Sequence, residues 1–243
     1  MPGRIPAGSI DAGRAIARRL LRAFGLERIH HPSFTALMRR EGVATVLDIG
    51  ANEGQFARDI RERGYRGRIV SFEPVSTAFL MLDRHAQRDP LWDTYQLGVG
   101  DVAGERVISV AASSVFSSFK PPSAYAARTF TGLREDHSET VHVVRLDAFL
   151  TAHSDLIANA YLKIDTQGFE REVLLGLGDI LPRIKAVQME LPLRELYRGQ
   201  ATMVEMIEWM KARGFEIAMA KENGFDWRAM RLLELDVVFV RAD

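Results

Sequence analysis

A chain of 243 residues, 47% of them apolar and 26% charged, has the material for one full globular core with extensions. Its 32 basic and 32 acidic side chains cancel, so no whole-molecule field draws it to nucleic acid. It has no cysteine, which excludes disulfides and thiolate metal sites, and no run approaches the roughly 20 apolar residues of a membrane span.

The first forty residues depart from this neutrality. Arg4, Arg14, Arg18, Arg19, Arg22, Arg28, Arg39 and Arg40 face only Asp11 and Glu27. Ile16, Leu20, Leu21 and Phe24 recur at helical spacing, so residues 1–42 read as a basic, helical N-terminal extension. Its apolar face can pack on the body or on a second subunit, as in a homodimer, or touch anionic lipid. Arginines interrupt every candidate signal core, and a cytoplasmic location is expected.

Residues 43–49 are β-branched and aliphatic, as suits a strand covered on both faces. The run Val46-Leu47-Asp48-Ile49-Gly50-Ala51-Asn52-Glu53-Gly54-Gln55-Phe56 then turns into a helix over 55–63. Gly50 and Gly54 let backbone turn and approach a ligand without a Cβ between them. A second strand, 68–72, ends in Glu73-Pro74, and an acid there can accept both hydroxyls of a ribose. Asp48 stands two residues before the first glycine, where a dinucleotide would place its pyrophosphate. A carboxylate there is unfavourable to a dianion and favourable to a ligand bearing an ammonium and a sulfonium, which selects S-adenosylmethionine over NAD.

Further along, the pattern predicts a helix over 76–88 with Ser76 as its N-cap, a strand over 92–99 and strands over 106–112 and 141–145. Residues 113–140 show no periodicity and open on Ser113-Ser114-Val115-Phe116-Ser117-Ser118; they read as a long loop, either a lid or plain surface. A buried strand, Tyr161-Leu162-Lys163-Ile164-Asp165, leads through Thr166-Gln167-Gly168 into a helix from Glu170. Strands over 183–190, 215–220 and 235–240, a helix over 203–213 and a polar Asn223-Gly224 loop complete the chain. The order predicts an open, mostly parallel α/β sheet with one antiparallel insertion.

With these segments in order the chain resembles the FkbM family of class I S-adenosylmethionine-dependent methyltransferases over residues 43–243. The resemblance rests on the Val46–Gly54 run, Ser71-Phe72-Glu73-Pro74, Val99-Gly100-Asp101, Val144-Arg145-Leu146-Asp147, Leu162-Lys163-Ile164-Asp165-Thr166-Gln167-Gly168-Phe169-Glu170 and Gln188-Met189-Glu190-Leu191. It implies the α/β, Rossmann-like, doubly wound and mostly parallel seven-stranded sheet with one antiparallel strand of that class, and methyl transfer to a hydroxyl oxygen of a sugar, such as a methylated mannoside in a polysaccharide or glycolipid, or of a polyketide. It also implies that Asp48, Gly50, Ala51, Asn52, Gly54, Gln55 and Phe56 surround the methionine moiety, Glu73 and Pro74 the ribose, and Val99, Gly100 and Asp101 the adenine. Asp165 falls beside the methyl group.

The difficult step is deprotonating the acceptor alcohol. Two routes stand open. His142 offers an imidazole that can act as base, with His137 a rival. Alternatively Asp165, Glu170 and Glu190 hold a magnesium ion that lowers the hydroxyl pKa. A non-catalytic scaffold and an NAD oxidoreductase are the rival classes, and the intact glycine turn, ribose acid and Asp165 weigh against both.

Overall fold

The computed structural model describes residues 33–242, and the expected amphipathic segment around Ile16 to Phe24 lies outside them. The described body opens with α1 (Phe34–Arg40), ahead of the domain start expected at residue 43. Met38 of this helix is buried in one cluster with Val46, Tyr65 and Tyr161, so α1 belongs to the body.

Five elements follow in strict alternation: β1 (Thr45–Ile49), α2 (Gln55–Glu62), β2 (Arg68–Phe72), α3 (Ser76–Ala86) and β3 (Trp92–Tyr95). Next come β4 (Gly98–Val99), β5 (Gly104–Ala111), α4 (Ala124–Thr129), β6 (Glu135–Val144) and α5 (Leu146–Ala152). The chain closes with β7 (Ala160–Ile164), α6 (Glu170–Leu175), β8 (Ala186–Pro192), α7 (Met203–Lys211), β9 (Phe215–Asp226) and β10 (Arg231–Arg241).

Seven strands form the main sheet in the order β3-β2-β1-β7-β8-β10-β9. β3, β2, β1, β7 and β8 are parallel, and β10 alone runs against its two neighbours, as expected. Every residue of β1 and β7 is buried. Alternate side chains serve opposite layers: Leu47, Ile49, Leu162 and Ile164 join one core, while Val46 and Tyr161 join the other. That is why these segments read as continuous apolar runs. From β1 the chain winds outward to β3, and from β7 it winds the other way. The order therefore reverses between β1 and β7, whose carboxyl ends meet where the Asp165 amide donates to the Ile49 carbonyl at 2.9 Å.

A second sheet, β4-β6-β5, accounts for most departures from the expected elements. The strand expected over 92–99 divides after Tyr95, because Gly98 and Val99 leave the main sheet to pair with Val143 and Val144. The stretch 113–140 is not an unstructured loop: it holds α4, capped by the Ser123 hydroxyl, and the first half of β6. Glu135 to Thr140 were illegible as a strand because polar residues dominate them; pairing with β5 determines their conformation. Val110, Ile108, Val141 and Val143 on the inner face pack against Val75 and Ala78 at the start of α3.

Two local expectations fail for identifiable reasons. Ser76 is the first residue of α3 rather than its cap, and its amide and hydroxyl both donate to Glu139 of β6, at 3.0 and 2.8 Å. Asn223-Gly224 is not the hairpin turn. Gly224 does take a positive φ of 65°, but pairing continues past it to Asp226 and Arg231.

Candidate active site

The turn after β1 is built by close approach. Gly50 has φ of 74°, and a Cβ there would stand 1.9 Å from the Asp165 carbonyl oxygen. Only glycine lets the ends of β1 and β7 come together in this way. The amides of Gly50 and Ala51 both donate to the Phe72 carbonyl at 3.0 Å, which ties the turn to the end of β2.

Glu73, just beyond β2, is buried and joins the two loops: Oε2 accepts from the Asn52 amide at 2.8 Å and Oε1 from the Val75 amide at 2.9 Å. Burial pushes its carboxyl up to about 7 against the pull of those two amides. Asp48, also buried, accepts from the Ser71 hydroxyl at 3.4 Å, and burial pushes it up to about 7 although Lys163 opposes the shift. The Lys163 ammonium donates to Asp165 Oδ2 at 3.1 Å. Burial alone would lower Lys163, but Asp165, Glu190, Asp236 and Asp48 together outweigh it and raise its pKa.

These residues enclose a cavity of about 240 Å³ at the reversal point of the sheet. Asp48, Gly50, Ala51, Asn52, Gln55, Phe56, Glu73, Pro74, Lys163, Asp165, Thr166 and Gln167 line it, and Ile108, Ser114, Val115, Ser117, Ser118 and Phe119 complete the wall. The segment 114–119 is pinned over the motifs: the Ser114 hydroxyl donates to Asn52 Oδ1 at 3.1 Å and the Ser118 hydroxyl to the Gln167 carbonyl at 2.7 Å.

A second cavity, of about 280 Å³, shares Val115, Asp165 and Gln167 with the first. One side is apolar, from Phe116, Phe130, Leu133 and Leu196, and the other polar, from Glu190, Asn223 and Glu234. Gln167 organises the junction. Its Nε2 donates to Asp165 Oδ1 at 2.8 Å and to Glu190 Oε2 at 3.1 Å, while its Oε1 accepts from the Tyr197 hydroxyl at 2.8 Å. Glu190 also accepts from Asn223 through Oε1. Its carboxyl lies well above the ordinary range because of burial and the nearby Asp165 and Glu234.

Several expected site residues stand elsewhere. Gly54 caps α2 but is not on the cavity wall; a Cβ there would meet the Trp92 ring at 2.8 Å. Val99, Gly100 and Asp101 are also off the wall. Phe119 covers Gly98 and Phe169 covers Gly100, at 3.0 and 2.9 Å from where a Cβ would be. Asp101 faces Arg106 at 3.7 Å.

The two routes expected for proton removal both fail on geometry. His142 projects from the outer face of the small sheet, 73% exposed, beside Glu105. His137 is held between Asp136 and Glu139 on the same strand. Neither histidine lines either cavity. Of the proposed magnesium ligands, Asp165 and Glu190 meet at Gln167 Nε2, which donates to both, and Glu170 does not join them. Glu170 Oε1 accepts from the Thr166 amide and hydroxyl and the Gly168 amide, shaping its own loop, and Asp165 is bonded by an ammonium. Among the described residues no group of three acidic or imidazole side chains has the arrangement of a metal site, so the donor set does not fit an ion.

Sequence reasoning missed Gln167, Lys163, Tyr197, Asn223 and Glu234 as site residues. Gln167 and Lys163 lay inside a motif already singled out. The other three lie on β9, on β10 and in the loop after β8, and the β8-β10-β9 edge of the sheet gathers them.

The model of the family described as "Methyltransferase FkbM domain" matches residues 48–217. A curated relative, the AMB antimetabolite synthetase AmbE of Pseudomonas aeruginosa, is 24% identical over 211 residues, 74% of this chain but 10% of that protein. Among solved structures, methyltransferase FkbM from Methylobacillus flagellatus KT aligns with a TM-score of 0.47 at 12% identity, over 80% of this chain and 43% of that one. Magnesium protoporphyrin IX methyltransferase from Synechocystis PCC 6803, solved with bound S-adenosylmethionine, aligns at 0.46 and 9% identity, over 100% and 87%. The chain thus spans a small part of the curated relative and less than half of the first of these structures.

Proposed function

The chain belongs to the FkbM family of methyltransferases, and from that premise we propose that it uses S-adenosylmethionine to methylate a hydroxyl oxygen of a neutral sugar. The observation that carries this reading is the pair of cavities meeting at Asp165, one lined by the glycine turn and Glu73, the other by aromatic faces and hydrogen-bonding groups.

The residues of the first cavity fit the cofactor. Glu73 supplies a buried carboxylate for ribose hydroxyls, and Asp48 and Asp165 supply negative potential for a cationic ligand. They equally disfavour the pyrophosphate of a dinucleotide. Bound there, the cofactor supplies an electrophilic methyl group with a neutral thioether as leaving group, so no acid is required on that side. Asp165, held from two directions by Lys163 and Gln167, marks where the two ligands meet.

In the second cavity Phe116, Phe130 and Tyr197 offer faces for the apolar side of a pyranose-like ring, while Glu190, Asn223 and Gln167 offer partners for its hydroxyls. Holding both reactants in one oriented arrangement accounts for much of the acceleration. Magnesium has no part in this account, because the carboxylates expected to hold it are committed elsewhere.

The test is transfer of an isotope-labelled methyl group from S-adenosylmethionine to methyl α-D-mannopyranoside, followed by NMR. A new methoxy signal is expected. A panel in which neutral glycosides stay unmodified while a macrolide-like polyketide alcohol is methylated would replace the sugar reading with the polyketide one.

A further inference from the structure

Neither His142 nor His137 lines the second cavity, and its own lining includes three carboxylates, Asp165, Glu190 and Glu234. Its polar side chains are nearly all engaged. Asp165 is bonded by Lys163 and Gln167, Glu190 by Gln167 and Asn223, and the Tyr197 hydroxyl donates to Gln167. Glu234 differs. It lines the cavity, yet among the described residues its carboxyl makes neither a hydrogen bond nor an ion pair within 4 Å. It is also firmly placed, since β10 pairs it with Pro192 of β8 on one side and Asn223 of β9 on the other.

We propose that Glu234 is the general base of the reaction, taking the proton of the acceptor hydroxyl held in the second cavity. This rests on the methyltransferase reading above. In the step, the hydroxyl proton passes to a carboxylate oxygen of Glu234 as the acceptor oxygen bonds the methyl carbon. The electrons of the breaking carbon–sulfur bond stay on sulfur, which leaves as a thioether, and Glu234 afterwards releases its proton to water. Glu190, with both oxygens occupied, positions the acceptor.

The surroundings suit a base. Glu234 faces Glu190 on β8, Asp165 after β7, Glu170 on α6, Asp236 on its own strand and the Tyr197 hydroxyl. Burial, and then Glu170, Asp165 and Asp236, push its carboxyl up to about 8. A base is most effective when its pKa lies near the working pH. The ordinary carboxylate range would make it a weak one, and the deprotonated form required by the step grows as pH rises through 8.

The experiment compares wild type, Glu234→Gln and Glu234→Asp in three measurements. S-adenosylmethionine affinity by calorimetry is expected to be unchanged, which separates this proposal from the cofactor reading. Turnover on methyl α-D-mannopyranoside is expected to fall roughly hundred- to ten-thousandfold in Glu234→Gln with little change in KM, to lose its rise with pH, and to return in part in Glu234→Asp. A carbon-13 carboxyl signal absent from Glu234→Gln is expected to titrate above pH 6 in the cofactor-free protein. Wild-type turnover in Glu234→Gln, or titration of that signal in the ordinary glutamate range, would overturn the proposal. If wild type binds the cofactor but leaves the glycoside unmodified, the sugar reading fails and the carboxyl titration alone decides for or against Glu234.

Discussion

Cofactor binding should be strongly pH-linked through Glu73. In the ligand-free cavity burial holds this carboxyl at about 7, whereas ribose hydroxyls and a positive ligand favour its ionised form. With a pKa of about 7, roughly one molecule in eleven is ionised at pH 6 and ten in eleven at pH 8. Apparent affinity scales with the competent fraction, so it should tighten roughly tenfold between those pH values. Asp48, also at about 7, adds up to a further roughly tenfold, reduced because each acid raises the other. The sign is fixed: binding releases protons and strengthens as pH rises. Calorimetry with S-adenosylmethionine at pH 6, 7 and 8, in two buffers of different ionisation enthalpy, measures affinity and proton release together. Glu73→Gln should lose its share of the pH dependence and bind more weakly by about 1.5–3 kcal/mol, the size of a charge-assisted hydrogen-bond loss. Affinity independent of pH, or proton uptake on binding, would refute the assignment.

Other perturbations test the frame around that site. Gly50→Ala places a Cβ against the Asp165 carbonyl at a positive φ, and should cost about 2–4 kcal/mol in a denaturant melt and abolish cofactor binding. Lys163→Met leaves Asp48, Asp165, Glu190 and Asp236 without their central cation. The cost should be about 3–5 kcal/mol at pH 8 and shrink toward pH 5, because Asp48, Glu190 and Asp236, all raised by burial, take up protons as pH falls; an equal cost at both pH values in urea melts would contradict it. His142→Ala and added EDTA should each leave methyl transfer within about twofold of wild type, since the histidine is solvent-exposed and the acidic groups do not form an ion site; a loss beyond tenfold in either would restore the discarded routes.

Much of the first cavity was legible because local backbone chemistry encodes it. Positive φ at Gly50, a buried acid at Glu73 and Asp165 at a strand end each follow from residues adjacent in the chain, and continuous apolar runs marked β1 and β7. The second cavity was not legible. Glu234, Asn223 and Tyr197 belong to a cavity only because β10 inserts between β8 and β9, and no local pattern announces that pairing. His142 attracted attention by its chemistry, but strand alternation places it opposite Val141 and Val143, which take the buried face. Asp165, Glu170 and Glu190 looked like a ligand set by type, yet Glu170 turns back on its own loop. Polar strands such as Glu135 to Thr140 hide for a related reason: their conformation comes from β5, not from their own propensity.

The most direct test of the central claim is a crystal structure of the chain with S-adenosylhomocysteine. The account predicts the ligand in the cavity between the glycine turn and the 114–119 segment, ribose hydroxyls on Glu73 and sulfur facing Asp165 where the second cavity begins. A ligand bound elsewhere, or lying with adenine against Asp165 and its sulfur remote from the second cavity, would contradict it.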